Sequence, residues 1–168
     1  VETFQARTDV SGKHVLRIDF LEVDPPRPTN VNAEATVMDV NHQGWTAGAH
    51  LLVHPSTLYV GLKSERLFVQ RGETLKVDAI VTDIDGQAVV GRPFTVKAER
   101  LDWEQVEGEW QETPADVQDC PVTSEAEAVR CTFQAREGGA WRVTAVVADD
   151  RERRNQSQLR LWVAGGKV

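Results

Sequence analysis

Two cysteines, Cys120 and Cys131, bracket the string DCPVTSEAEAVRC and are the only cysteines in the 168-residue chain. Thiols at this spacing could hold a metal, run redox chemistry or form a staple. A structural zinc site needs about four ligands and favours paired cysteines two residues apart. Ten residues separate these two, and no histidine follows His54. A redox thiol pair likewise favours close spacing at a helix N-terminus. Period-two alternation instead puts Cys131 on one strand face with Val129 and Phe133, pointing inward. Cys120 ends the strand before it, across a short loop. A structural disulfide is the expectation, with about 3 kcal/mol of stabilisation on the chain-entropy estimate. Such a bond belongs to an oxidising compartment.

Other groups that could do chemistry give bland readings. His50 and His54 have the i, i+4 spacing of a helical metal pair, but they lie on a strand ending at Pro55, where that spacing spans about 13 Å. DIDG at 83–86 opens like a calcium loop, yet the twelfth position holds Phe94 where a bidentate glutamate is required. A hairpin turn explains it better. Asp149, Asp150 and Glu152 are interleaved with Arg151, Arg153 and Arg154, the pattern of a solvated loop. No serine lies in a nucleophile-elbow glycine setting, so catalysis is not expected. No cofactor or metal is implied. Trp103 and Trp110 flank the EQVEGE turn and offer an aromatic surface platform for a sugar or peptide, or a cross-strand pair that steadies a long hairpin. NQS at 155–157 fits a glycosylation acceptor.

The elements that must position these groups are strands. LKVDAIVTD, WRVTAVVAD and QLRLWV alternate with period two, and turn signals at DIDGQ, VEGEW, REGGA and RRNQS separate such runs. Strands are predicted near 66–69, 75–82, 94–104, 109–119, 127–135, 140–149 and 157–164. Seven strands in about 110 residues is the size and count of an immunoglobulin-like antiparallel β-sandwich. The net charge of −7, without a basic cluster, repels phosphate backbones, so nucleic acid is not an expected partner. No run is long and apolar enough to cross a bilayer, so membrane contact by this stretch is not expected either. The start at Val1 without a methionine fits an excised or processed piece.

The chain also repeats itself. Residues 31–53 set against 141–163 pair Ala35 with Ala145, Val37 with Val147, Asp39 with Asp149, Leu51 with Leu161 and Val53 with Val163, all at an offset of 110. Upstream, 11–20 matches 124–133 at an offset of 113, pairing Ser11 with Ser124, Arg17 with Arg130 and Phe20 with Phe133; Ile18 stands where the second copy has Cys131. Retained strand phase across two hairpins points to homologous modules. Residues 1–53 then read as the C-terminal strands of one sandwich, and 54–166 as a complete seven-stranded one.

The stretch LLVHPSTLYVGLKSERLFVQRGETLKVDAIVTDIDGQAVVGRPFTVKAERLDW (51–103), followed by GGAWRVTAVVADDRERRNQSQLRLWVAGG (138–166), resembles the macroglobulin modules of bacterial alpha-2-macroglobulin-like proteins. The resemblance implies a secreted or periplasmic endopeptidase inhibitor that traps a protease after bait cleavage. Any membrane anchor would be carried by the parent chain. The Cys-x-Glu-Gln thioester string of many members is absent: Cys120 precedes PVT and Cys131 precedes TFQ. This region would be non-catalytic scaffold, with neighbouring macroglobulin modules as its partners and target proteases met through the full-length protein. The best bait candidate, EQVEGEWQETPADVQ at 104–118, reads better as an extended hairpin. The rival expectation is a spacer or adhesion module of a bacterial surface protein.

Overall fold

The computed structural model describes residues 1–19 and 23–165. Phe20, aligned above with Phe133, lies outside the described residues, as does Gly166 at the end of the second span. Ten strands and no helix occur among the described residues. They are β1 (Thr29–Met38), β2 (Gly44–Val53), β3 (Leu58–Ser64), β4 (Phe68–Gln70), β5 (Thr74–Asp83), β6 (Pro93–Val106), β7 (Glu109–Thr123), β8 (Val129–Gln134), β9 (Gly139–Ala148) and β10 (Arg154–Ala164).

Strands β3 to β10 build an immunoglobulin-like β-sandwich from a five-stranded sheet, ordered β4-β10-β9-β6-β7, and a three-stranded sheet, ordered β3-β5-β8. All neighbours pair antiparallel except β4 with β10. Period-two alternation decides what fills the space between the sheets. Leu75, Val77, Ala79 and Val81 of β5 face Val96 and Ala98 of β6 and Trp141, Val143, Ala145 and Val147 of β9, each no more than 1% exposed. Trp141 is fully buried and its indole N–H donates to the Glu137 carbonyl at 3.2 Å, so the large ring costs no unmet donor.

Two expectations need correction. The sandwich has eight strands where seven were expected, because β3 occupies residues 58–64, where no strand was predicted. Pro55, Ser56 and Gly61 mask an alternation in which Leu58 and Val60 are buried and Leu62 packs against the core. The strand expected at 109–119 runs on to Thr123, so Cys120 lies inside β7. Pro114 and Pro121 suggest a break, but β7 is an edge strand paired only with β6, and an edge tolerates residues without an N–H. A bulge between Ala98 and Arg100 leaves one extra residue on β7, where Asp116 takes φ 44°.

Strands β1 and β2 form a separate two-stranded sheet. Their register, Thr29 opposite Val53 through Met38 opposite Gly44, is that of β9 and β10 shifted by 110, where Gly139 faces Val163 and Ala148 faces Arg154. Ahead of β1, Asp9 to Lys13 close a tight turn, and the Pro26 carbonyl accepts the Gln156 N–H of β10 at 2.9 Å.

Candidate functional site

Cys120 and Cys131 are disulfide-bonded, with Cα atoms 6.1 Å apart. The two cysteines do not sit on hydrogen-bonded neighbours: β7 is the edge of the five-stranded sheet and β8 the edge of the three-stranded one. The bond therefore joins the two sheets at their seam. It is not alone there. The Gln118 side-chain amide donates to the Gln134 carbonyl and accepts the Gln134 N–H, both at 2.9 Å, so a side chain does the work of a missing ladder rung. At the loop end of the seam, Ser124 Oγ donates to the Val89 carbonyl at 2.6 Å and accepts the Arg92 N–H at 2.9 Å. Sequence alone does not expose Gln118, because its partner is main chain.

Trp103 and Trp110 come together on one face of a ribbon. Beyond the pair Leu101 and Ala140, β6 loses β9 and continues with β7 alone to a two-residue turn at Glu107 and Gly108, both at positive φ (51° and 89°). Trp103 faces Glu112 and Trp110 faces Gln105, so the indoles are diagonal neighbours. They are 60% and 65% exposed. The one aromatic ring pair among the described residues is His54 with Tyr59, edge to face, so the two indoles are not stacked on each other. Trp162 of β10 and Phe68 of β4, paired in register, point to the same outer side of the sheet and are also exposed. Alternation in QLRLWV could have revealed Trp162; Phe68 depends on a parallel pairing that no local pattern carries.

Four charges on this outer face are matched to one another. Arg160 forks onto Glu112 at 2.9 and 2.8 Å, and Arg142 binds Glu99 through Nε at 2.6 Å. Glu99 is buried on the outward face beneath this network. A shallow groove runs beside it, lined by Lys97, Thr144, Arg154, Gln156 and Gln158. Such a lining offers hydrogen bonds.

The remaining candidates resolve into structure. His50 shares a hydrogen bond with Asn32 at 2.6 Å, and His54 shares one with the Tyr59 hydroxyl, so each imidazole has its own neighbour. Among the described residues no three His, Cys, Asp or Glu side chains converge to hold a metal ion. Asn155, the first residue of NQS, is 1% exposed and its Oδ1 accepts the Val60 N–H at 3.0 Å, which makes it a bolt between β10 and β3.

Four aspartates, Asp9, Asp39, Asp83 and Asp149, make one and the same turn. In each, Oδ1 accepts the N–H groups two and four residues on, and the main chain closes across the loop. The DIDG string is such a turn, with Gly86 at φ 81°. Asp149, expected in a solvated loop, is instead buried, and its Oδ2 also accepts the Thr57 N–H and hydroxyl at 3.1 Å and the Arg153 Nε–H at 2.9 Å. Burial pushes this carboxyl up, but the N–H groups of Thr57, Arg151 and Arg153 with the Arg153 guanidinium outweigh it and hold the group well below the ordinary value of 3.8. Thr57 belongs to the connection between β2 and β3, so Asp149 anchors that connection to the β9–β10 turn.

No protein-family description and no curated protein matches the chain. Solved structures similar to it include Salmonella alpha-2-macroglobulin reacted with methylamine, 18% identical over 81% of this chain and 10% of that one, with a TM-score of 0.48. Escherichia coli alpha-2-macroglobulin activated by porcine elastase is 20% identical over 84% of this chain and 13% of that one, at 0.44. The PKD domain of an M14-like peptidase from a Thermoplasmatales archaeon is 17% identical over 64% of this chain and 94% of that one, at 0.39. The chain thus spans about an eighth or less of either alpha-2-macroglobulin, and at these identities the likeness is one of β-sandwich fold alone.

Proposed function

We propose that this chain is a non-catalytic scaffold segment of an alpha-2-macroglobulin-like endopeptidase inhibitor that works in the periplasm or outside the cell. The observation that carries the reading is the tandem repeat: the same closing hairpin, in the same register, recurs 110 residues apart, and residues 51–103 and 138–166 resemble macroglobulin modules. The inter-sheet disulfide fits an oxidising compartment. In this role the chain has no chemical group to offer. It holds module spacing, and the anchor between Asp149 and Thr57 couples one hairpin turn to the connection that follows β2. Its partners are neighbouring modules, and it meets proteases only through the full-length protein.

The test is a protease-protection assay on the full-length protein. A trap slows digestion of large protein substrates by an added endopeptidase while leaving cleavage of small peptide substrates intact. Equal digestion of large substrates with and without the protein sinks the reading. A second reading, a spacer or adhesion module of a bacterial surface protein, is favoured by the exposed outer face carrying Trp103, Trp110 and Trp162. A glycan or peptide screen in which Trp110→Ala abolishes a binding signal supports it, and a screen without signal removes it.

A further inference from the structure

One face of the β1–β2 hairpin is apolar in four of its five cross-strand pairs. Register places Val37 opposite Trp45, Ala35 opposite Ala47, Ala33 opposite Ala49, Val31 opposite Leu51 and Thr29 opposite Val53. The other face carries polar cross-strand pairs along its middle, where the Thr36 and Thr46 hydroxyls meet at 2.8 Å and His50 meets Asn32, and has apolar Met38 and Leu52 only at its two ends. This is the division of a sheet with one wet side and one dry side. Yet the dry side is open, with Val37 at 56%, Trp45 at 73% and Leu51 at 54% exposure.

The same chain shows how such a face is closed. At an offset of 110, Ala35, Val37 and Leu51 correspond to Ala145, Val147 and Leu161, which are 3% exposed or less because the β3-β5-β8 sheet covers them. Upstream, at an offset of 113, Leu16 and Ile18 correspond to Val129 and Cys131 of β8. Both are exposed, at 47% and 42%, and residues 14–19 have no strand pairing.

Area decides what kind of occupant fits. Two ten-residue strands at about 3.4 Å per residue and about 4.8 Å spacing present a footprint of about 330 Å². Two hairpins face to face would cover about 650 Å² in total, short of the roughly 1,200 Å² at which stable interfaces between separate chains begin. A sheet tethered in the same polypeptide faces no such threshold, since tethering supplies its effective concentration.

We propose that the apolar face of β1–β2 is a docking surface for a second antiparallel sheet of the β3-β5-β8 type, carried by the same polypeptide, with residues 14–19 in the position of β8. The proposal rests on the internal repeat and not on the protease-trap reading, so a failed protease assay leaves it standing.

The test lengthens the chain at its N-terminus, through a flexible glycine-serine tether, by a copy of its own residues 56–84, which carry β3 and β5. An uncovered two-stranded hairpin is marginal in water, so amides of residues 29–53 exchange fast in the unlengthened chain. In the lengthened chain they are expected to exchange at least ~10-fold more slowly. Val37→Asp combined with Leu51→Asp returns them to fast exchange, while residues 139–164 stay protected as the internal control. No slowing overturns the proposal, as does slowing that survives both aspartates. A concentration-dependent dimer of the unlengthened chain that the same aspartates abolish also overturns it, by assigning the face to a second copy.

Discussion

Asp39 and Asp149 lie 110 residues apart and hold the same turn with the same atoms, each Oδ1 accepting two main-chain N–H groups across a hairpin whose fourth residue, His42 or Glu152, takes φ near 60°. They differ in what lies beneath them. Asp149 is buried and its second oxygen reaches Thr57 and Arg153, while Asp39 caps an open hairpin and is exposed. Removing a buried acceptor strands the donors it served, whereas an exposed one is replaced by water. Asp149→Ala is therefore expected to cost about 3 kcal/mol in urea unfolding, and Asp39→Ala less than about 0.5 kcal/mol. Equal losses at the two sites would refute the distinction.

The same contrast sets a pH dependence. The Asp149 carboxyl is lowered in the folded chain despite its burial, and Asp78 is lowered chiefly by the hydrogen bond from the Arg130 guanidinium. A carboxyl whose folded value lies below its unfolded one binds fewer protons when folded, so stability rises with pH across that interval. The contribution is complete above the unfolded value of 3.8 and is lost as pH falls through the lower folded value. Unfolding midpoints measured from pH 6 down to 2 should fall below about pH 4. In Asp149→Asn the fall should be shallower, and an unchanged slope would mean that other carboxyls carry it.

Much of this architecture is legible in the sequence because alternation and turn chemistry are local signals. The core faces of β5, β9 and β10 follow from period two, and the Asp83 turn follows from DIDG, but the β9–β10 turn is closed by Asp149 and lies ahead of the expected RRNQS, whose residues from Arg154 on are strand. What escapes is set by long-range partners. β3 is hidden because Gly61 looks like a breaker until Ile80 is seen packing across from it. The inter-sheet nature of the disulfide is hidden because β7 and β8 are consecutive in the chain, yet they part to opposite sheets. Gln118 and Asn155 act on main-chain atoms of other strands, and a side chain's residue type says nothing of such a partner.

Reduction of the disulfide tests the seam. Cys120 and Cys131 close a short loop, so the chain-entropy estimate gives about 3 kcal/mol lost on reduction. Because Gln118 still bridges the sheets and Ser124 still ties the β7–β8 connection to the β5–β6 connection, the reduced sandwich should remain folded, with a lower midpoint and unchanged denaturant slope. Adding Gln118→Ala should cost about 1 kcal/mol more in the reduced chain than in the oxidised one, since the two devices share a seam. Strictly additive losses would show that they act independently. A free-thiol titration near two under native, unreduced conditions would remove the bond itself.

Tryptophan positions separate fold from function. Trp141 is fully buried in the core with its N–H satisfied, and Trp141→Ala should cost about 3–5 kcal/mol. Trp103 and Trp110 are more than half exposed, lie diagonally on a two-stranded ribbon and have no ring partner among the described residues. Cross-strand contacts of this kind are worth about 0.2–1 kcal/mol, so Trp103→Ala and Trp110→Ala should each shift stability by less than about 1 kcal/mol. Neighbouring Leu101, also on the outward face but only 4% exposed, should lose about 2 kcal/mol or more on truncation to alanine. That ordering would mean the two indoles contribute to what the ribbon touches and hardly to holding it together. A loss above about 1.5 kcal/mol for Trp110→Ala, measured by the same urea titration, would instead make the pair a structural clasp and remove the aromatic face as a reason to expect a ligand.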